Sequence, residues 1–288
     1  MKRKGKVVVI GGHEDKGMPE SEKKSSQNAE LMGDSILKTI VDESAKRTRS
    51  RIEIIPTASS EPEEIAEEYI EAFHYLDAKN CGILDIQTRE QAFEEDKLDR
   101  LRKADVVFFT GGDQLRLTTI LSGTEFYNVL LHKLEKENFL YAGTSAGAAA
   151  ASDSMIYQGR AENAFYKGEV LTSTGFGFIR DVIFDTHFVN RGRIGRLFQL
   201  IVSNPKILGI GLEENTGLLF SGNKMEAIGP GMTIIVDGRF IKQNNMLEIR
   251  DGAPISIDNI TLHVMSKTDV YDLEKRELTI KTAPEYLK

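Results

Sequence analysis

Three short apolar runs in this chain end in glycine-rich turns, and that repeated junction restricts the fold more than any other feature. Val7-Val8-Val9-Ile10 runs into Gly11-Gly12, and Val106-Val107-Phe108-Phe109 into Thr110-Gly111-Gly112. Phe139-Leu140-Tyr141-Ala142 runs into Gly143-Thr144-Ser145-Ala146-Gly147. A strand that is apolar at consecutive positions is buried on both faces, as happens in parallel sheets covered by helices. Arg51-Ile52-Glu53-Ile54-Ile55, closed by Pro56, and Ile83-Leu84-Asp85 supply two more strands. Between the runs lie charged segments of helical period. Asn28 to Lys46 sets Leu31, Ile36, Ile40 and Val41 near one face. Ser60 to Glu64 opens a helix to about Leu76, with Pro62 in its first turn and acids against the positive end of the dipole. Lys97 to Arg102 and Gln114 to Leu134 read as two further helices. The alternation predicts an α/β fold, a mostly parallel sheet with helices on both faces.

From Asn215 onward the pattern changes. Leu218-Leu219-Phe220, Ile234-Ile235-Val236, Phe240-Ile241, Leu262-His263-Val264 and Leu278-Thr279-Ile280 are separated by turns such as Asp237-Gly238. They predict an antiparallel, β-rich extension over about 215–288, belonging to one domain that spans 1–288. The polar stretch Gly17 to Gln27 reads as a mobile loop.

Composition removes several function classes. The 37 basic and 44 acidic side chains leave a net charge of −7, which gives no support to nucleic-acid binding or a polybasic membrane anchor. The lone cysteine, Cys81, can form neither an internal disulfide nor a thiolate metal site by itself. After the basic Met1-Lys2-Arg3-Lys4, the apolar run Val7 to Ile10 is too short for a secretion signal or a membrane helix, so the chain is expected to be cytoplasmic.

Gly143-Thr144-Ser145-Ala146-Gly147 matches G-x-S-x-G between a strand and the small-residue segment Ala148 to Ala151. This strand–turn–helix elbow presents a serine oxygen at a strand's carboxyl end. A serine hydroxyl attacks only when a base removes its proton. His74 and His132 lie in charged helices, His13 in a loop and His263 in a late strand. His187 alone ends an apolar strand, Val182-Ile183-Phe184, where α/β sheets gather their ligands. Glu213 and Glu214 follow the strand Ile207 to Leu212. Adjacent carboxylates on an extended chain point to opposite sides, so at most one faces His187. The order serine, histidine, acid differs from that of ordinary α/β-hydrolases. The Gly112 amide, with that of Ala146, would hold a tetrahedral oxyanion. Arg191, Arg193 and Arg196 follow His187 and offer planar forks suited to carboxylates. No histidine–carboxylate cluster has ligand spacing along the chain, so neither a metal nor an organic cofactor is implied.

Together, Gly111-Gly112-Asp113-Gln114, the Ser145 elbow, Asp185-x-His187-Phe188 with its three arginines, and Gly211-Leu212-Glu213-Glu214-Asn215 resemble the cyanophycinases. These serine peptidases cleave cyanophycin, a poly-aspartate backbone with arginine on each β-carboxyl, and are grouped with the aspartyl dipeptidases. The resemblance implies a three-layer sandwich like that of class I glutamine amidotransferases. It implies Ser145 as nucleophile, His187 as base and Glu214 as the orienting acid. It further implies substrate contacts at Gln114, Asp185, Arg191, Arg193 and Arg196, release of β-aspartyl-arginine dipeptides, and a homodimer. The arginine cluster favours this branch over a dipeptidase acting on short peptides. A binding module with an idle serine is the alternative from a different class. One departure stands out: the family often carries glutamine where this chain has Thr186.

Overall fold

The computed structural model describes residues 3–14 and 35–281. The Gly17 to Gln27 loop and residues 28–34 of the first expected helix lie outside them. Five strands form a parallel half-sheet: β1 (Lys6–Ile10), β2 (Ile52–Ile55), β3 (Cys81–Ile83), β4 (Val106–Phe109) and β5 (Leu140–Thr144). Their spatial order is β1-β5-β4-β2-β3, so β1 and β5 lie side by side.

Consecutive apolar residues serve two layers because successive side chains on a strand point to opposite faces. Val8, Ile10, Ile52, Ile54, Val106, Phe108, Leu140 and Ala142 pack under α1 (Ile36–Glu43) and α2 (Pro62–Tyr75). Val7, Val9, Ile55, Val107, Phe109 and Tyr141 face the other way. They meet α3 (Glu95–Lys103), α4 (Gln114–Leu121), α5 (Glu125–Lys136) and α6 (Ala146–Ala150). Each fully buried side chain of this kind stabilises the fold by about 1.5–3 kcal/mol. The single helix expected over Gln114 to Leu134 is two. Gly123, at φ +67°, ends the first segment, and the Thr124 side chain accepts a hydrogen bond from the Tyr127 amide to start the second.

Beyond α6 come the hairpin β6 (Ser154–Gln158) and β7 (Leu171–Thr174), then β8 (Val182–Thr186), α7 (Ile194–Ser203) and β9 (Leu208–Leu212). The later strands are β10 (Gly217–Ser221), β11 (Lys224–Ile228), β12 (Thr233–Asp237), β13 (Gln243–Asn244), β14 (Ile257–Asp258), β15 (Thr261–Met265), β16 (Val270–Asp272) and β17 (Glu277–Thr279). The β-rich extension is shared between two sheets. In the main sheet β10 runs antiparallel beside β1, followed by β11, β16 and β17. In a second sheet, ordered β15-β12-β9-β8, β8 and β9 are parallel and the other pairings antiparallel. Val182, Phe184, Leu208, Ile210 and Ile235 of that sheet join the buried cluster that also holds Val7, Val9 and Tyr141 of the main one. Ile183 and Val236 point outward to Leu197 and Ile201 of α7. Phe240 and Ile241, expected as strand, follow a turn closed by the Ile241 amide on the Gly238 carbonyl, with Phe240 exposed.

Candidate active site

The carboxyl ends of β1, β5, β8 and β9 meet at one place. Ser145 stands between β5 and α6 at φ +48°, ψ −101°, a conformation that non-glycine residues rarely adopt. The turn is tight enough that a side chain at Gly143 would sit 2.6 Å from the Gly147 carbonyl carbon, and one at Gly147 2.8 Å from Phe109. Only glycine fits both places. The crowding is held in place by the Ser145 amide, which donates to the Ile10 carbonyl at 2.9 Å. Tyr141 Oη donates to the Gly147 carbonyl at 2.7 Å from below. Beside the elbow, buried Glu14 accepts from Thr144 Oγ1 at 2.7 Å and from Tyr69 Oη.

Ser145 Oγ lies 3.2 Å from His187 Nε2, and His187 Nδ1 lies 2.7 Å from Glu214 Oε1. An ionised carboxylate only accepts, so Nδ1 carries the imidazole proton and Nε2 turns its lone pair to the serine. The hydrogen bond from His187 holds the Glu214 carboxyl below its ordinary range, and this acid is ionised. Burial lowers the His187 pKa, against the pull of Glu214, so the ring is neutral at neutral pH. Glu213 contributes elsewhere, its Oε2 accepting from the Val189 and Asn190 amides at 2.5 and 3.0 Å and so fastening the loop after His187. Of the two adjacent acids, Glu214 is the one whose carboxylate meets His187.

The junction after β1 ties the arrangement together. Besides the Ser145 bond to Ile10, the His187 amide donates to the Gly11 carbonyl at 3.0 Å and the Asn215 amide to the Gly12 carbonyl at 2.9 Å. Three successive carbonyls therefore hold the backbone at or beside each of the three side chains. The sequence marks Gly11-Gly12 only as a strand end. Its further role runs through main-chain atoms, which leave no side-chain signal.

The turn carrying Gly112 runs alongside, with Gly111 close to the Ser145 side chain. Neither the Gly112 nor the Ala146 amide donates a hydrogen bond within the described residues. Gln114, expected among the substrate contacts, donates from Nε2 to the Ile156 carbonyl at 2.7 Å. Asp113 caps α4 by accepting from the Leu115 and Arg116 amides.

The arginine cluster divides. Arg191 is exposed and lines a cleft of about 650 Å³ that also holds Ser145, His187 and Gly112. Arg193 and Arg196 turn away from it to buried Asp185, at 3.4 and 2.9 Å. Arg193 also donates to the Thr186 carbonyl and Arg196 to the Gly159 carbonyl. Burial pushes the Asp185 carboxyl up to about 6, and the two guanidinium groups pull it back. Asp185, Arg193 and Arg196, expected as substrate contacts, form an ion cluster beside the His187 loop in this structure. Thr186 is buried at the end of β8.

Two features escaped the sequence reading. Glu61, Glu64 and Glu68 form an acidic wall of the cleft. Their spacing places them on one face at the start of α2, a stripe that in sequence reads only as acid against the helix dipole. His13 also converges on the site: one ligand-capable atom from each of His13, His187 and Glu214 lies within 4.8 Å of the others. The three come from separate loops, so no spacing along the chain announces them.

Residues 24–228 match the family described as Peptidase family S51. The chain belongs to that family. Among similar proteins, the cyanophycinase of Synechococcus elongatus is 34% identical over 279 residues, covering 96% of this chain and 82% of that protein. The cyanophycinase of Nostoc sp. (strain PCC 7120) is 35% identical over 271 residues, covering 94% and 86%. Among solved structures, a peptidase from an acI-B1 Actinobacterium superposes with a TM-score of 0.62 at 19% identity, over 92% of this chain and 98% of that one. A putative peptidase E protein from Listeria monocytogenes EGD-e gives 0.51 at 16% identity, over 79% and 99%. These two likenesses show a shared fold. This S51 chain is a peptidase, and among its described residues no helix is long and apolar enough to cross a membrane.

Proposed function

We propose that this chain is a serine peptidase that hydrolyses the aspartate backbone of cyanophycin and releases β-aspartyl-arginine dipeptides. The observation that carries the reading is the unbroken line from Ser145 Oγ through His187 to Glu214, in a chain about a third identical to named cyanophycinases over most of both lengths. Ser145 Oγ attacks a backbone carbonyl while His187 Nε2 takes its proton. The Gly112 and Ala146 amides donate to the oxyanion, a contribution of about 3–4 kcal/mol for each such donor. As the tetrahedral centre collapses, the C–N bond breaks and His187 gives the proton to the leaving amine. Water, deprotonated by the same ring, then releases the acyl group and returns the proton to Ser145.

The cleft's charges fit such a polymer on two sides. Arg191 faces carboxylate, and the wall of Glu61, Glu64 and Glu68 suits the guanidinium groups carried on each β-carboxyl. The reading extends to one hydrolytic domain over residues 1–288, supported by the buried cluster that joins both sheets. It also extends to a homodimer, for which the family resemblance is the support, and to a cytoplasmic location. Incubation with insoluble cyanophycin, followed by mass analysis of the supernatant, tests the central reading. Dipeptides with the mass of β-aspartyl-arginine are expected. Faster turnover of Asp-Xaa dipeptides than of the polymer would overturn it.

A further inference from the structure

His13 takes no part in the relay, yet it stands at its edge. It is exposed, follows Gly12 in a turn where both residues have positive φ, and places Nε2 3.8 Å from Glu214 Oε1. Its ring lies edge-on to that of His187, with centroids 5.1 Å apart. Two imidazoles and a carboxylate form a ligand set that Zn²⁺ accepts in open three-ligand sites, at about 2.0–2.2 Å to each atom. Tetrahedral geometry at those lengths separates neighbouring ligand atoms by about 3.4 Å. The separations of 2.7 Å from His187 Nδ1 to Glu214 and 3.8 Å from His13 to Glu214 lie on either side of that figure. A small rotation of the exposed His13 and of the part-exposed Glu214 side chain brings the set to it. The cleft beyond is lined by the carboxyl groups of Glu14, Glu61, Glu64 and Glu68 and by the guanidinium of Arg191, a lining that favours arrival of a dication.

We propose that His13, His187 and Glu214 form a Zn²⁺ site, and that its occupation switches the peptidase off reversibly. Bound through Nδ1 of His187, the ion takes the place of the proton shared with Glu214. The ring's one proton then moves to Nε2, which has no lone pair left for the Ser145 proton. Bound through Nε2, the ion takes that lone pair directly. Either mode cuts the relay. The inhibitory half rests on His187 acting as the base; the site itself does not.

The test titrates ZnCl₂ calorimetrically into the parent protein and into the Ser145→Ala and His13→Asn variants. Zinc-dependent loss of peptidase activity is followed in parallel for the parent and His13→Asn. Asparagine tolerates the positive φ at position 13, so the fold is kept. One Zn²⁺ is expected to bind the parent and Ser145→Ala equally. His13→Asn should bind at least about tenfold more weakly, since losing even an outer-shell partner of a metal ligand costs about 10–100-fold. His13→Asn should keep its zinc-free activity and need correspondingly more zinc to lose it, while EDTA restores the parent. Equal binding by His13→Asn, or no binding to the parent at micromolar zinc, would overturn the site. Binding without loss of activity would overturn the switch. Because Ser145→Ala is titrated without turnover, a failure of the cyanophycin reading leaves the result on the site intact.

Discussion

Gly12 shows how much of the site rests on a residue with no chemistry of its own. At φ +105° it lies where side chains are strained, and an added Cβ would stand 2.4 Å from His187 Cε1 and 2.6 Å from Nε2. Gly12→Ala is therefore expected to displace the imidazole. Misplacements of this order cost about 10²-fold in kcat, with KM little changed. Kinetics on a variant whose melting curve shows it folded would check this, and a parent-like kcat would contradict it. The His187 ring also sets the pH dependence. Burial, with Arg191 adding to it, lowers its pKa below 6.5 despite Glu214, and the base works only when neutral. The kcat/KM profile should fall on its acid side with a midpoint below pH 6.5. A midpoint above 6.5 would contradict the assignment. At this scale the sequence is legible where a residue carries its own chemistry at a strand end, as Ser145, His187 and Glu214 do. It is silent on Gly11 and Gly12, because carbonyls that hold neighbouring loops are the same in every residue type.

At the scale of elements, β8, the loop after it and α7 form one piece. Asp185 lies near the end of β8, while Arg193 and Arg196 reach back to it from the start of α7. Its charge therefore holds the segment that carries His187. Asp185→Ala would leave two guanidinium groups without their buried partner, a change expected to cost about 3–5 kcal/mol of stability. Urea unfolding measures this directly. Unchanged stability with weakened substrate binding would instead mark these residues as substrate contacts. The sequence gathers the three arginines correctly near His187 but says nothing of direction. A carboxylate eleven residues from Arg196 claims it only because β8 and α7 fold back on each other. The break between α4 and α5 was more legible in principle, since Gly123-Thr124 is a stop followed by a cap.

Over the whole molecule, the serine comes from the main sheet while His187 and Glu214 follow strands of the second. The two sheets share one buried cluster. Activity and far-UV ellipticity should therefore be lost together in a urea titration; loss of activity well before ellipticity would show that the sheets part independently. The parallel half of the fold was legible because doubly buried strands have a plain apolar signature. Assignment of the late strands to two sheets was not, since β10 pairs with β1 across most of the chain and β12 turns instead to β9. Such pairings depend on contacts that local patterning does not record.

All of this depends on Ser145 being the residue that attacks. The most direct test is the steady-state rate of dipeptide release from cyanophycin by Ser145→Ala, measured beside the parent. Removing the nucleophile of such a relay costs about 10⁶-fold in kcat. Release from the variant should therefore fall to the assay background, whereas release at or near the parent rate would contradict the account.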